Sequence, residues 1–231
     1  MPRLARNIIP DIPMHITQRG NRRENIFLDD EDKEFYLRSF MKYRKILKVK
    51  VFAWCLMDNH VHFILQPSNK KGLSKLFLCL NTKYVRYFNK KYGITGKLLG
   101  DRFFSCLLDE EHLYEAIRYV ELNPYKAKKE SVLGEYKWSS IAEHLGNRCE
   151  YFLNKLPEYL DIKNWKAYLT ENIAEIKENI SLINQKWAEI RSATIKNFPI
   201  GSFDFIATIE KLLKKEFNFN PRGRPVNTSL K

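Results

Sequence analysis

The sequence contains few cysteines, and none are arranged to bind zinc or to crosslink a fold. The four are Cys55, Cys79, Cys106 and Cys149, and no two of them have the CxxC spacing of a metal or redox motif. Because disulfide and zinc frameworks need such pairing, we expect buried free thiols in a reducing compartment.

The chain also lacks any apolar run long enough to cross a bilayer, although 44% of its residues are hydrophobic. Residues 1–10 contain no continuous apolar stretch, so we expect no secretory signal. No internal repeat or low-complexity tract is visible. The sequence therefore predicts a globular protein and argues against a membrane-spanning one.

Acidic residues are the minority among the charged ones. There are 27 Asp and Glu against 40 Lys and Arg, so the formal net charge is +13 and the pI is near 9.5. Such a balance predicts a polyanionic partner, most often nucleic acid, and we expect a cytoplasmic, nucleoid-associated protein. Non-specific DNA binding stays open. An acidic membrane surface is disfavoured, because no basic amphipathic helix stands out.

Hydrophobic patterning predicts an α+β fold with a ferredoxin-like split βαβ order. The two-residue turn Asp58-Asn59 between two strands implies an antiparallel hairpin. We expect an antiparallel sheet with helices on one face. The predicted strands are residues 14–18, 49–57, 60–66 and 102–108, and the predicted helices are residues 29–48, 73–93 and 109–123.

The pattern changes beyond about residue 150. Residues 151–198 and 203–217 look helical and show no strand alternation. We therefore divide the chain into a first domain over residues 1–148, a helical accessory domain over 149–220 and a basic tail over 221–231.

Two histidines share one face of a predicted strand. His60 and His62 flank Val61, and residues i and i+2 of a strand point to the same side of the sheet. Such a pair can supply two metal ligands at a fixed spacing. Two histidines on a strand are more often polar surface, so this pattern alone favours the surface interpretation.

The third predicted helix carries a polar stripe beside its apolar one. His112, Glu115, Tyr119 and Asn123 recur at i, i+3, i+7 and i+11, so Tyr119 and Asn123 face the same way one turn apart. The amide could complete a two-histidine metal site, and the phenol could reach a phosphate held there. Periodicity alone slightly favours Tyr119 half-buried at the core edge with its hydroxyl in water.

At these residues the sequence resembles the single-tyrosine HUH (His-hydrophobe-His) transposases, specifically the REP-associated tyrosine transposases. The resemblance covers roughly residues 1–145. It is specific because many spaced motifs occur in the family's order. They are MHITQRGNRRENIF, DDEDKE, AWCLMDNHVHFIL, LNTKYVRYFNKKYG, GDRF, RYVELNP and YKWSS.

The resemblance implies a site and a reaction. His60 and His62 would bind a divalent cation, Mg²⁺ or Mn²⁺, with Asn123 as third ligand, and the Tyr119 phenolate would attack a phosphodiester of single-stranded DNA. Attack would leave a 5′-phosphotyrosine and a free 3′-OH, and a second 3′-OH could later rejoin the strand. The expected partner is hairpin-forming single-stranded DNA, bound by a monomer or homodimer. No general base is evident.

The sequence departs from the family after the Asn-Pro of RYVELNP. The family usually continues Val-Arg-Ala-Gly, whereas this chain reads Tyr125-Lys126-Ala127-Lys128, so the turn glycine is missing. Residues 98–102 also lack the glutamine common at that motif. Neither change removes a proposed site residue.

Basic residues that could contact DNA occur in three places. They fit a groove that follows the phosphate backbone and, in the tail, an AT-hook-like minor-groove contact. A solvated helix face and a disordered basic tail fit equally well. The residues are Arg19, Arg22 and Arg23 after the first strand, Lys83, Arg86 and Lys90 on the second helix, and Arg222 and Arg224 in the tail.

Two other functions stay open. One is a non-catalytic single-stranded nucleic-acid-binding protein on the same fold, which would not need His60, His62, Tyr119 and Asn123 together. The other is a different HUH enzyme, a replication-initiation nuclease or relaxase, which the motif order around RYVELNP disfavours. The sequence does not tell which DNA sequence is recognised. It also leaves open whether the protein is a transposase that moves its own element or a domesticated relative that acts on chromosomal repeats.

Overall fold

Four strands form one antiparallel sheet in the order β2-β3-β1-β4. A computed structural model describes residues 6–147, 153–156, 165, 167–169 and 180–217. Each neighbouring pair of strands is antiparallel. The strands are β1 (Met14–Arg19), β2 (Val49–Met57), β3 (His60–Pro67) and β4 (Phe104–Leu107).

Seven α-helices and one short 3-10 helix, Asn21–Arg23, have their bounds within the described residues. Asp29 and Asp109 cap α1 and α3, because their carboxylates accept hydrogen bonds from the backbone of Asp32 and His112. The helix α2 ends at Gly93, whose φ of 64° suits a glycine. The helices are α1 (Asp30–Ile46), α2 (Gly72–Tyr92), α3 (Glu110–Glu121), α4 (Asn123–Lys126), α5 (Ile141–His144), α6 (Ile180–Lys196) and α7 (Phe203–Leu213).

The crossover helices α1 and α2 cover one face of the sheet. Phe63 of β3 packs between Phe40 of α1 and Phe77 of α2, with ring centroids 4.4 Å and 6.2 Å away. Side chains alternate along a strand, so the neighbours of Phe63 point to the opposite face. The predicted α+β split βαβ fold is confirmed.

The second face of the sheet is covered by α3 and α6, so helices pack on both faces and the prediction of helices on one face is wrong. Leu113 and Ile117 of α3 and Trp187 and Ile190 of α6 are all buried in one apolar cluster with Ile64 of β3. The helix α6 lies after the predicted boundary at residue 148, yet it packs on the sheet of the first domain. The division itself stays a prediction.

A buried carboxylate fixes α3 against the chain that follows it. Glu121 is fully buried and accepts hydrogen bonds from Ser140 Oγ at 2.6 Å, His144 Nδ1 at 2.6 Å and Trp165 Nε1 at 2.9 Å. Burial by itself would lower the pKa of His144, but the charges of Glu121 and Glu143 more than offset this and raise it. These bonds hold the C-terminal end of α3, which carries Tyr119.

Several local expectations differ in detail from the structure. The first strand extends through Arg19, and the fourth is shorter than predicted, because a bend at Asp101 and Arg102 precedes it. Residues 153–156 are not helical. Cys55 and Cys106 are buried free thiols and Cys79 is partly buried, whereas Cys149 lies outside the described residues. No helix in the described ranges is long and apolar enough to span a membrane.

Candidate functional site: a cluster of histidines and a tyrosine

The His60–His62 pair lies at the start of β3, on the face that α3 covers. In the strand register His60 is opposite Arg19 and His62 is opposite Thr17. The two imidazole rings are 4.8 Å apart between centroids, with their planes at 82°. The strand therefore places both histidines on one face, as the spacing predicts.

Tyr119 of α3 lies against this pair. Its side chain is buried, and its ring centroid is 5.4 Å from that of His62 and 5.5 Å from that of His15 on β1. Trp187 of α6 packs on Tyr119 at 5.7 Å. The tyrosine thus belongs neither to the surface nor to the core edge, but to a ring cluster built from four separate elements.

Each imidazole of the pair has its Nδ1 atom in a hydrogen bond. His60 Nδ1 lies 2.5 Å from Asn59 Oδ1, and His62 Nδ1 lies 2.9 Å from His15 Nε2. An amide oxygen can only accept, so His60 Nδ1 donates and its Nε2 carries the lone pair. The His60 ring is therefore in the tautomer that can bind a cation through Nε2.

Burial keeps these rings uncharged. Desolvation lowers the pKa of His60 to about 4, helped by the positive charges of Arg19 and Arg191. It also lowers the pKa of His15 to about 3 and holds that of His62 well below its ordinary range. Neutral imidazole is the form that binds metal ions, so the two residues suit a divalent cation near neutral pH.

Asn123 lies at the start of α4, one turn after Tyr119. Its Nδ2 donates to the Tyr119 carbonyl at 2.5 Å, so its Oδ1 is the amide atom that could bind a cation. In the described part of the chain, no three His, Cys, Asp or Glu side chains are grouped to hold a metal ion. Binding of a metal by His60, His62 and Asn123 stays a prediction.

Three buried polar atoms beside the cluster have no hydrogen-bond partner among the described residues. They are Thr17 Oγ1, Arg19 Nε and Trp187 Nε1. Thr17 and Arg19 are the strand neighbours of His62 and His60. Buried polar groups are nearly always satisfied in proteins, so these atoms suit a site that binds a polar ligand or water.

The predicted DNA-binding residues are scattered. Arg19 ends β1 beside His60, and the exposed Arg22 and Arg23 form a turn with left-handed φ values of 52° and 66°. Gly20 precedes this turn, and an added Cβ there would collide with the Glu24 carbonyl oxygen. These arginines therefore lie at or just after the end of β1, and the Arg23 carbonyl accepts a hydrogen bond from Asn59, the neighbour of His60.

The residues predicted on α2 share one side of the helix, because they lie three and four residues apart, but they differ in their surroundings. Exposed Arg86 lines an open groove with Gln18, Asn81 and Arg102, whereas the Lys83 ammonium lies 5.4 Å over the Phe35 ring. Lys90 is exposed near the end of α2. Arg222 and Arg224 lie outside the described residues.

Sequence reasoning missed four residues of the cluster. His15 alternates with Thr17 and Arg19 on β1, and this period of two is a signal that could have found it. Trp187, Arg191 and Thr194 are spaced to share one side of α6, but nothing local says that this side meets the histidines. The two polar neighbours of Tyr119 on α3 stand elsewhere, because His112 pairs with Asp109 and Glu115 accepts from Tyr168.

Comparison with known proteins identifies a family that matches the part of the sequence that forms this site. The model of the family described as "Transposase IS200 like" matches residues 9–123. The fold is similar to that of a REP-associated tyrosine transposase bound to a REP hairpin, with a TM-score of 0.54 and 16% identity over 71% of this chain and 96% of that one.

A protein of Deinococcus radiodurans assigned as a transposase has a TM-score of 0.37 and 12% identity, over 57% of this chain and 100% of that one. No curated protein matches the chain in sequence. The family match includes His15, His60, His62 and Tyr119 and ends before Thr194. Residues 9–123 of the chain belong to the family of IS200-like transposases, as the resemblance of its motifs predicts.

Proposed function

We propose that this protein cleaves and rejoins single-stranded DNA at hairpin sites, with Tyr119 as nucleophile and a divalent cation at His60 and His62. One observation carries the proposal, which is the packing of the Tyr119 ring 5.4 Å from that of His62. A binding protein without catalysis has no need to bury a tyrosine against a histidine pair.

The residues present fit a divalent cation. Both imidazoles are neutral, His60 offers Nε2, and Asn123 can add an amide oxygen. Imidazole nitrogens suit Mn²⁺ better than the harder Mg²⁺, the amide oxygen suits both ions, and water can complete the coordination of either. A cation bound there would polarise the scissile phosphodiester and offset charge that develops on its oxygens.

The proposed cleavage exchanges one phosphoester bond for another. Tyr119 Oη forms a bond to phosphorus and the bond from phosphorus to the 3′-oxygen breaks. The phenol releases its proton and the departing 3′-oxygen takes one up, which leaves a 5′-phosphotyrosine and a 3′-OH. Attack by another 3′-OH reverses these changes, releases Tyr119 and joins the strands.

Positive charge near the cluster favours binding of the phosphate. Arg19 and Arg191 lie close enough to lower the pKa of His60 and His62. The same charges attract the DNA backbone. Arg19 Nε also has no partner in the described part of the chain, so it can donate to a phosphate oxygen.

The proposed substrate is single-stranded DNA that folds into a hairpin. The solved relative with a TM-score of 0.54 is a REP-associated tyrosine transposase bound to a REP hairpin, and we extend that substrate class to this chain. The groove that Arg86 lines contains Gln18 of β1, whose side chain contacts Asn81 on the α2 side of the sheet, opposite the histidine pair, and it offers a second surface for the DNA backbone.

A covalent-adduct assay tests the proposal. Labelled hairpin oligonucleotides from the DNA flanking the gene are incubated with the protein and Mn²⁺ or Mg²⁺, and SDS-resistant protein–DNA adducts are measured. We expect a metal-dependent adduct with the wild-type chain and none with Tyr119→Phe, because phenylalanine keeps the ring packing but has no hydroxyl.

Tyr114→Phe is the matched control. Tyr114 lies on the same helix but packs beside Tyr168, with ring centroids 6.3 Å apart, outside the histidine cluster. This variant should form the adduct at the wild-type rate. Tight binding of every flanking hairpin without any adduct would replace the proposal with the non-catalytic binding protein.

A further inference from the structure

A series of buried hydrogen bonds connects His62 to the helix α6. His62 Nδ1 lies 2.9 Å from His15 Nε2, and His15 Nδ1 lies 2.7 Å from Thr194 Oγ1. The planes of the two imidazoles are only 14° apart, which suits a hydrogen bond that lies in both rings. His15, His62 and Thr194 are each at most 2% exposed, so water does not compete for these atoms.

Thr194 sets the direction of proton donation in this series of hydrogen bonds. Thr194 Oγ1 donates its single proton to the Ile190 carbonyl at 2.7 Å, a bond within α6. The hydroxyl can then only accept from His15, so His15 carries its proton on Nδ1 and a lone pair on Nε2. His15 Nε2 must in turn accept from His62 Nδ1. The Nε2 atom of His62 is left with a lone pair.

We propose that His15 and Thr194 are positioning residues that hold His62 in the Nδ1–H tautomer, so that its Nε2 is available to a divalent cation. This inference rests on the proposed use of His62 as a ligand. It gives α6, which lies outside the family-matched residues 9–123, a role in the site. Hydrogen bonds to the second nitrogen of a ligating histidine commonly orient it and tune its affinity.

The opposite direction of donation would prevent His62 from binding the cation. If Thr194 donated to His15 Nδ1, His15 would carry its proton on Nε2 and donate to His62, whose own proton would then sit on Nε2. That proton would block coordination. The back-bond from Thr194 to Ile190 is therefore the feature that decides which nitrogen of His62 is open.

Nitrogen-15 NMR of the metal-free protein tests the inference without any catalytic step. The chain has five histidines, and His112→Gln and His144→Gln remove the two that lie outside the cluster, which helps assignment. We expect wild-type His62 to be protonated at Nδ1 and Thr194→Val to shift a measurable fraction of it to Nε2. A wild-type ring protonated at Nε2 would overturn the proposal even if the DNA adduct forms.

Metal affinity gives the second readout. Thr194→Val should weaken Mn²⁺ binding, measured by titration calorimetry, by about tenfold. Thr194→Ser keeps the hydroxyl and should retain wild-type affinity. Cys106→Ala removes a second contact of the same oxygen, Sγ at 3.2 Å, and should leave the tautomer unchanged. Equal Mn²⁺ affinity of the valine and serine variants, both folded by thermal melting, would contradict the positioning role.

The pulsed electron paramagnetic resonance spectrum of bound Mn²⁺ separates positioning from direct ligation. We expect nitrogen couplings from two imidazoles, those of His60 and His62. Couplings from three would make His15 a ligand and overturn the inference. Failure of the Tyr119 adduct with normal couplings and tautomers would count against the proposed reaction alone.

Discussion

Lys128 stands where the resembling transposases have a glycine, and its backbone keeps the conformation that a glycine favours. Its φ is 55°, in the left-handed region, and its N–H donates to the Tyr125 carbonyl at 3.0 Å. A side chain with a Cβ is disfavoured there by about 1 kcal/mol or more. The departure therefore leaves the turn after α4 in place, at a cost in local strain.

Replacing this lysine by glycine should stabilise the protein. We expect Lys128→Gly to raise the free energy of unfolding by about 0.5 kcal/mol, because relief of the left-handed strain exceeds the extra flexibility of glycine in the unfolded chain. Urea unfolding measures the change. Lys128→Ala removes the same charge but keeps the Cβ, and it should give no gain. A loss of stability with glycine would show that the turn is not strained.

At the scale of elements, α6 completes the core around the candidate site. Ile190 is 1% exposed and lies in the apolar cluster with Ile117 of α3, while Ile195 on the same helix is 51% exposed. The two isoleucines differ in burial and not in chemistry. They therefore form a matched pair for testing how firmly α6 is packed.

We expect Ile190→Ala to lower the free energy of unfolding by about 2–4 kcal/mol, because it leaves a cavity between α6 and the sheet. Ile195→Ala should change it by less than about 0.5 kcal/mol. Chemical unfolding followed by tryptophan fluorescence measures both. Equal small effects would mean that α6 is not part of the cooperative core, and the positioning role of Thr194 would lose its structural basis.

At the scale of the whole molecule, the net charge is strongly positive. The net charge of +13 predicts affinity for DNA that falls as salt rises, since binding releases counterions from phosphates. Basic residues of the same helix differ in their surroundings. Arg86 lines the groove beside β1, whereas the Lys83 ammonium is held over the Phe35 ring.

We expect Arg86→Gln to weaken binding of a single-stranded hairpin and to make the slope of log affinity against log salt shallower by about 0.7, the value for one lost phosphate contact. Lys83→Gln, from the same helix, should change the slope less. Fluorescence anisotropy with labelled oligonucleotides at several NaCl concentrations measures both slopes. An equal change of slope for both variants would contradict the prediction that DNA contacts the groove.

The sequence determined those properties that depend on one element or on neighbouring elements. The order of strands and helices follows from periodicity and from the short turn at Asp58 and Asn59. The shared face of His60 and His62 follows from the pleat of β3, and the family was recognisable from spaced motifs. The spacing of Tyr119 and Asn123 also followed, because residues four apart meet on a helix.

Only the tertiary structure decided how these elements meet. The β1–β3 register sets His15 near His62, and packing on the second face of the sheet brings Tyr119, Trp187 and Thr194 to the same point. Thr194 contacts His15 across 179 residues of sequence. Periodicity tells which side of a helix is buried but not against which partner. The surroundings of His62 therefore come from long-range packing, which no local pattern in the sequence encodes.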